Sequence, residues 1–211
     1  MSNGEIAIRS ILEDLIHQFS DPLAFYRELV QNSIDAGSGE VEISVEYEER
    51  EPEGRAVIRV RDFGEGMTQE IIESRLTRLF SSGKDDDLTK IGRFGIGFVS
   101  VFAVEPDHVV VDTGREGTYL RALFDADRTY ELFELDVPME GTEVRILKTM
   151  DREEFEEIRE RSRRAVRDWC KHAEVPIYLD GEEIREAFDV DSPCKIEHAE
   201  PGTRVVIGLV T

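Results

Sequence analysis

The chain has 211 residues, of which 40% are hydrophobic, enough for one sizeable core or for one domain with a smaller appendage. Its 26 basic and 47 acidic residues give a net charge of −21, which argues against a general binder of nucleic acid or of anionic membranes. Cys170 and Cys194 have neither CxxC spacing nor a neighbouring His pair, so they indicate no zinc site and no disulfide framework. The sequence has no signal-peptide pattern and no apolar run long enough to span a membrane, so we expect a cytoplasmic location.

Apolar residues recur at helical spacing in some segments and alternate with polar residues in others, which predicts a mixture of helices and strands. In chain order, the pattern predicts helices over 6–19 and 23–36, strands over 41–47 and 56–60, a helix over 68–80, a polar loop or lid over 81–87, a short helix through Val104, strands over 109–111, 119–124, 130–135 and 143–147, a helix over 151–172, an apolar segment over 176–179, and one or two strands between 194 and 210. Glycines and prolines between these segments mark the turns.

The second predicted helix carries three polar residues on one side. Glu28, Asn32 and Asp35 are three and four residues apart, which makes neighbours of their side chains on a helix. A carboxylate that could activate water, an amide oxygen that could hold a metal ion and a second acid would therefore face one cleft. A solvated helix face and a buried polar network are the alternatives at this point.

Two glycine clusters offer places where a ligand could approach the backbone. The first, at 62–67, follows a strand, and its glycines allow a tight turn. Asp62 in this cluster is an acceptor that suits the exocyclic amino group of adenine, and Met67 can lie against an apolar ring. The second, Gly92-Arg93-Phe94-Gly95-Ile96-Gly97-Phe98, opens a helix whose free N–H groups would favour phosphate. Taken alone, the first cluster is more typical of an ordinary turn, and the second is weak evidence of a phosphate site.

The order of these motifs resembles the ATPase superfamily of gyrases, heat-shock chaperones, histidine kinases and mismatch-repair proteins. Between about residues 5 and 148 the chain carries five motifs in a fixed order. They are the acid-amide helix, Asp-x-Gly-x-Gly, the polar stretch, Gly-x-Phe-Gly-x-Gly-Phe and Gly141-Thr142. Within the superfamily, the runs 11–29 and 92–100 look most like the N-terminal domain of heat-shock protein ninety chaperones. The resemblance implies an α/β fold, a two-layer α/β sandwich with helices on one face of a mixed, mostly antiparallel sheet and an ATP lid.

The same resemblance implies roles for individual residues. Glu28 would orient and deprotonate the attacking water, and Asn32 would bind Mg²⁺ through its oxygen. Asp62 would read the adenine amino group, and Lys84 on the lid is a candidate contact of the γ-phosphate. The other positions expected around ATP are Asp35, Ala36, Gly64, Gly66, Met67, Gly92, Gly95, Ile96, Gly97, Phe98 and Thr142.

These roles predict a Mg²⁺-dependent ATP hydrolase domain over 1–180 that drives lid closure and N-terminal dimerisation of a longer chain acting on protein partners. Residues 181–211 would then be trailing strands at the start of a following domain. Because the resembling families supply a basic residue to the γ-phosphate from a downstream domain, hydrolysis by this domain alone is expected to be slow.

Two other functions are compatible with the motifs. One is a nucleotide-gated clamp on DNA of the mismatch-repair or chromatin type, although the net charge of −21 counts against direct DNA contact by this domain. The other is a histidine kinase catalytic domain, against which Glu28 counts, because kinases that must avoid hydrolysis seldom keep an acid at that place.

Overall fold

The structure is a computed structural model. It describes residues 16, 21–76, 97–186, 189–190, 192–200 and 203–209. The first predicted helix, apart from residue 16, and the predicted lid lie outside this part of the chain. So do four of the predicted ATP contacts, Lys84, Gly92, Gly95 and Ile96.

The described helices differ greatly in length. Helix α1 spans Phe25–Asp35, α2 spans Gln69–Ile71 and α3 spans Arg152–Cys170. Helix α3 begins with a capping box, in which the Asp151 side chain accepts from the Glu154 N–H and the Glu154 side chain accepts from the Asp151 N–H. The long helices thus agree with the predicted segments.

The predicted helix over 68–80 is not one continuous α-helix. The short α2 passes directly into a π-helical turn, Ile72–Leu76, and residues 77–80 lie outside the described part. Both Ile72 and Leu76 are buried, so the wider turn still directs its apolar side chains to the core. Residues 97–99 are α-helical and continue as a 3₁₀ helix, Ser100–Val104, where a short helix was predicted.

Eight strands form the main sheet in the order β5-β4-β3-β6-β2-β1-β7-β8. Every neighbouring pair is antiparallel except β1 and β7, which are parallel. The strands are β1 Val41–Glu48, β2 Arg55–Asp62, β3 His108–Arg115, β4 Thr118–Asp125, β5 Tyr130–Glu134, β6 Gly141–Thr149, β7 Ile177–Leu179 and β8 Glu182–Glu183. This is the mixed, mostly antiparallel sheet that the sequence predicts.

Alternation along the strands gives the sheet two unlike faces. In β1, Val41, Ile43 and Val45 are buried, while Glu42 and Glu46 between them are exposed. Helices α1 and α3 contact each other, and they contact β2 and β1 respectively. Because the apolar side chains of the strands and helices share one core cluster, the helices lie on one face and the fold is a two-layer α/β sandwich.

The end of the described chain forms a separate two-stranded sheet. Strand β9, Lys195–Glu200, pairs antiparallel with β10, Thr203–Gly208. Ile196 and Ile207 lie opposite each other and are 72% and 60% exposed, so this sheet has little core of its own. Strand β8 belongs to the main sheet, which therefore extends a few residues past position 180. No helix within the described ranges is long and apolar enough to cross a membrane.

Candidate active site

A cavity lies between α1, the loop that follows β2 and the ends of β3 and β6. Apolar side chains such as Leu29, Val60 and Val144 form much of its wall, and a few polar groups converge on it. The predicted site residues that line it are Asn32, Asp35, Ala36, Asp62, Gly66, Met67, Phe98 and Thr142. The structure thus brings together residues from four separate segments of the sequence.

Asp62 is the buried polar centre of one end of the cavity, which we call the Asp62 end. Its Oδ1 accepts hydrogen bonds from the N–H of Gly64 at 2.9 Å and of Thr142 at 3.1 Å, and its Oδ2 accepts from Ser33 Oγ at 3.3 Å. Burial raises the pKa of Asp62 above its ordinary value, and the three hydrogen bonds offset only part of this effect. The carboxylate is therefore a fixed acceptor at the end of a largely apolar cavity.

Thr113 joins the loop after β2 to the sheet at the same end, and the sequence analysis did not find it. Its Oγ1 accepts from the N–H of Met67 at 2.9 Å and lies 3.2 Å from the carbonyl oxygen of Gly141 and 3.0 Å from Thr142 Oγ1. Thr113 is fully buried, in register with the inward-facing Val109 and Val111. A polar residue at an inward position of a buried strand is the signal that could have found it.

Two glycines allow the loop after β2 to pass close to other backbone. A Cβ at Gly64 would lie 2.6 Å from the carbonyl oxygen of Ala36, at the end of α1. Gly66 has φ +65°, and a Cβ there would lie 2.1 Å from the carbonyl oxygen of Gly114. The loop consequently lies against both α1 and the end of β3, a position that larger residues would prevent.

We call the part of α1 that carries Glu28 and Asn32, one helical turn apart, the Glu28 end. Asn32 lines the cavity, whereas Glu28 is not among its described lining residues and lies beside Gly97. Glu28 Oε1 accepts from Arg27 Nε at 3.2 Å and Nη2 at 2.8 Å, and its Oε2 would lie 2.7 Å from a Cβ at Gly97. The Asn32 side chain makes no hydrogen bond within the described part of the chain. Asp35 lines the cavity and accepts from Gln31 Nε2 at 2.8 Å. A carboxylate beside Gly97 and an amide with no side-chain partner among the described residues thus lie one helical turn apart on α1.

Arg115 is a second cavity residue that sequence reasoning missed. It ends β3, and its guanidinium donates to the carbonyl oxygen of Gly66 at 3.4 Å and pairs with Glu65 at 3.1 Å. Of the described residues that line the cavity, it is the one cation. A single arginine at the end of a strand carries no local sequence signal, because its place depends on the order of the strands.

Among the known proteins that this chain is similar to are bacterial chaperones. The chaperone protein HtpG of Chlorobium luteolum is 28% identical to this chain over 84% of this chain and 32% of that protein. The HtpG chaperones of Geobacter metallireducens and Coxiella burnetii are 29% and 28% identical, each over 89% of this chain and over 35% and 34% of their own lengths. This chain therefore spans about a third of the length of these relatives.

A family model described as histidine kinase-, DNA gyrase B- and HSP90-like ATPase matches residues 25–159. The match covers well over half of the chain and includes α1, the loop after β2, the ends of β3 and β6 and the first part of α3. The cavity described above lies wholly within the matched residues. The chain belongs to the family of histidine kinase-, DNA gyrase B- and HSP90-like ATPases.

Proposed function

We propose that this domain binds ATP together with Mg²⁺ in the cavity and hydrolyses the ATP, as the nucleotide-binding part of a chaperone-like protein. The observation that carries the proposal is that Asp62 and Asn32 line one cavity, with Glu28 one helical turn before Asn32, in a chain of this ATPase family. ATP binding and hydrolysis need an acceptor for the adenine amino group and a base for the attacking water.

Adenine would lie at the Asp62 end. The Asp62 carboxylate would accept a hydrogen bond from the exocyclic amino group, and Met67 would lie against the ring. Ala36 would leave space beside the base, while Thr142, whose N–H holds Asp62, would support it. The fixed orientation of Asp62 supports this assignment, because a preoriented acceptor loses little freedom when the base binds.

Water attack on the γ-phosphate would take place at the Glu28 end. Glu28 would accept the proton of the attacking water, a role that depends on its position relative to that water. The unpaired Asn32 amide fits a Mg²⁺ ligand, because its oxygen is a hard donor with no protein partner in the described chain. When bound, the ion would draw the phosphate oxygens together and neutralise their charge.

Gly97 and Phe98 would contribute backbone and wall near the phosphates, in keeping with the contact between Gly97 and Glu28. Lys84, Gly92, Gly95 and Ile96 lie outside the described residues, so their roles around the phosphates stay predictions. A cytoplasmic location also stays a prediction of the sequence.

The chaperone-like assignment rests on the relatives, which carry the name chaperone protein HtpG. Lid closure, N-terminal dimerisation and action on protein partners belong to this proposal. We further propose that β9 and β10 begin a following domain, because their exposed isoleucines need a cover that the two strands do not supply. A DNA clamp is the second candidate, and the charge of −21 makes it the weaker one.

The test is phosphate release from ATP by this chain with and without Mg²⁺, alongside ADP binding by calorimetry. We expect binding, with turnover that is slow in this chain and faster in a longer protein that contains it. A failure to bind any adenine nucleotide would overturn the proposed function. Equal turnover in the short and long proteins would overturn only the claim that a downstream residue contributes.

A further inference from the structure

We propose that Arg115 reads the adenine ring directly, by donating a hydrogen bond to N1 beside the amino group that Asp62 accepts. This inference rests on the proposed function, because it specifies how the same cavity selects its base. It assigns base selectivity to two side chains of opposite charge from different strands.

The sheet topology places Arg115 and Asp62 at the same edge. Strands β3, β6 and β2 are neighbours in that order, and Arg115, Thr142 and Asp62 lie at the ends of these three strands. The loop after β2 turns back across these ends, which is why Gly66 lies against Gly114. All three polar residues consequently line one end of one cavity.

The guanidinium of Arg115 is held in place by groups of that loop and by Glu116, the residue that follows β3. It donates to the carbonyl oxygen of Gly66 at 3.4 Å, and it pairs with Glu65 at 3.1 Å and with Glu116 at 3.7 Å. The Arg115 side chain is only 24% exposed, whereas the Glu65 side chain is 61% exposed. Because a guanidinium has five N–H donors, these three contacts leave at least two for a ligand in the cavity.

The chemistry of the two side chains matches one purine edge and opposes the other. Adenine presents an amino donor beside the acceptor N1, which suits a carboxylate beside a guanidinium. Guanine presents an acceptor, O6, beside a donor, N1–H. The acceptor of guanine would then face the carboxylate, which also accepts, and its donor would face the guanidinium, which also donates. Polar groups left unpaired in a closed site weaken binding more than the loss of one contact does. The pair of Asp62 and Arg115 would therefore select adenine and reject guanine.

The inference can be tested by calorimetric binding of ADP, 1-deaza-ADP and 3-deaza-ADP to this chain and to Arg115→Met. The parent chain should bind 1-deaza-ADP about tenfold more weakly than ADP, since the analogue lacks the N1 acceptor for a charged donor. Arg115→Met should bind the two ligands with nearly equal affinity. The matched control is Arg164→Met, which removes an exposed arginine of α3 outside the cavity and should keep the tenfold difference.

Several results would overturn the assignment while leaving the proposed function intact. They are equal affinities of the parent chain for ADP and 1-deaza-ADP, the same tenfold difference in Arg115→Met, and a difference seen with 3-deaza-ADP instead. Glu65→Gln keeps the arginine donor, and its amide oxygen can still accept from Arg115, so this variant should keep the tenfold difference. Absence of ADP binding by the parent chain would instead overturn the proposed function.

Discussion

The two ends of the site are built differently. At the Asp62 end, a buried carboxylate is held by hydrogen bonds from Gly64, Thr142 and Ser33, which lie on three separate elements. At the Glu28 end, by contrast, the side chains of Glu28 and Asn32 project from a single helix. Glu28 is partly exposed and paired with the neighbouring Arg27, and the Asn32 side chain has no hydrogen-bonding partner among the described residues. The Asp62 end is thus assembled before any ligand arrives, while the Glu28 end offers groups that a ligand would complete.

In the proposed function, this difference separates recognition of the base from hydrolysis. A network whose members are all hydrogen-bonded keeps its geometry, because moving one member leaves buried polar groups unpaired. Side chains with few partners can instead adjust to a nucleotide and its ion. We therefore expect substitutions at the Asp62 end to affect base binding or folding, and those at the Glu28 end to affect turnover or the Mg²⁺-dependent part of nucleotide affinity.

The largest effect is expected from Glu28→Ala. Loss of the general base should lower phosphate release at least about 100-fold. The affinity for ADP, measured by calorimetry, should stay within about threefold, because the Asp62 end is untouched. Glu157→Ala, which removes an exposed carboxylate of α3, is the matched control and should hydrolyse normally. Hydrolysis retained by Glu28→Ala would remove the general-base assignment.

Asp62→Asn should reverse this pattern. The amide can keep the bonds from Gly64 and Thr142 through its oxygen and donate to Ser33 Oγ, so the fold should survive. Its NH₂ group introduces a donor and removes the charge that adenine would meet, so ADP affinity should fall about 100-fold. Circular dichroism would verify the fold, and an unchanged ADP affinity would contradict the assignment of the base to this end.

Because the pKa of Asp62 is raised, the stability of the chain and its binding of ADP should both depend on pH through this residue. A carboxyl whose pKa is higher in the folded than in the unfolded chain costs stability as the pH rises through the folded-state pKa. Asp62→Asn should therefore gain stability relative to the parent chain as the pH rises through that window, measured by chemical denaturation across pH. Binding of ADP by the parent should decline on acidification sooner than for an ordinary carboxylate. A stability difference independent of pH would contradict a buried, ionisable Asp62.

The same change, glycine to alanine, can be made at one glycine of each end to compare how rigid the two ends are. Gly66→Ala places a Cβ against the fixed carbonyl oxygen of Gly114 at a positive φ, which should lower the free energy of unfolding by about 2 kcal/mol. Gly97→Ala meets only the movable carboxylate of Glu28, so stability should change by less than about 1 kcal/mol while turnover falls. Chemical denaturation and phosphate release would measure both, and equal losses of stability would contradict the difference between the ends.

Residues whose roles follow from local spacing could be predicted from the sequence. Glu28, Asn32 and Asp35 share a side of α1 because a helix makes neighbours of residues three and four apart. Asp62 could be placed at a strand end because alternation ended there and glycines followed. The two-layer architecture was implied by the family resemblance of the ordered motifs, whereas the alternating and helical patterns indicated only a mixture of helices and strands.

Residues whose roles depend on strand order could not be found in this way. Thr113 and Arg115 meet the loop after β2 only because β3 lies two places from β2 in the sheet, and local alternation carries no information on that order. The π-helical turn at Ile72–Leu76 was missed for a related reason, since apolar spacing of four residues suits both an α-helix and a wider turn.

Asn32→Ala gives the smallest expected effect and distinguishes the two ends most directly. If Asn32 holds Mg²⁺, the variant should lose only the part of nucleotide affinity that depends on the ion, about tenfold at saturating Mg²⁺. With the ion chelated, the parent chain and the variant should bind ADP equally, because adenine recognition at the Asp62 end is unchanged. Gln69→Ala removes an exposed amide elsewhere and should keep the full Mg²⁺ dependence. A loss of affinity that persists in chelator would place Asn32 in base recognition, and the functional division of the cavity would fail with it.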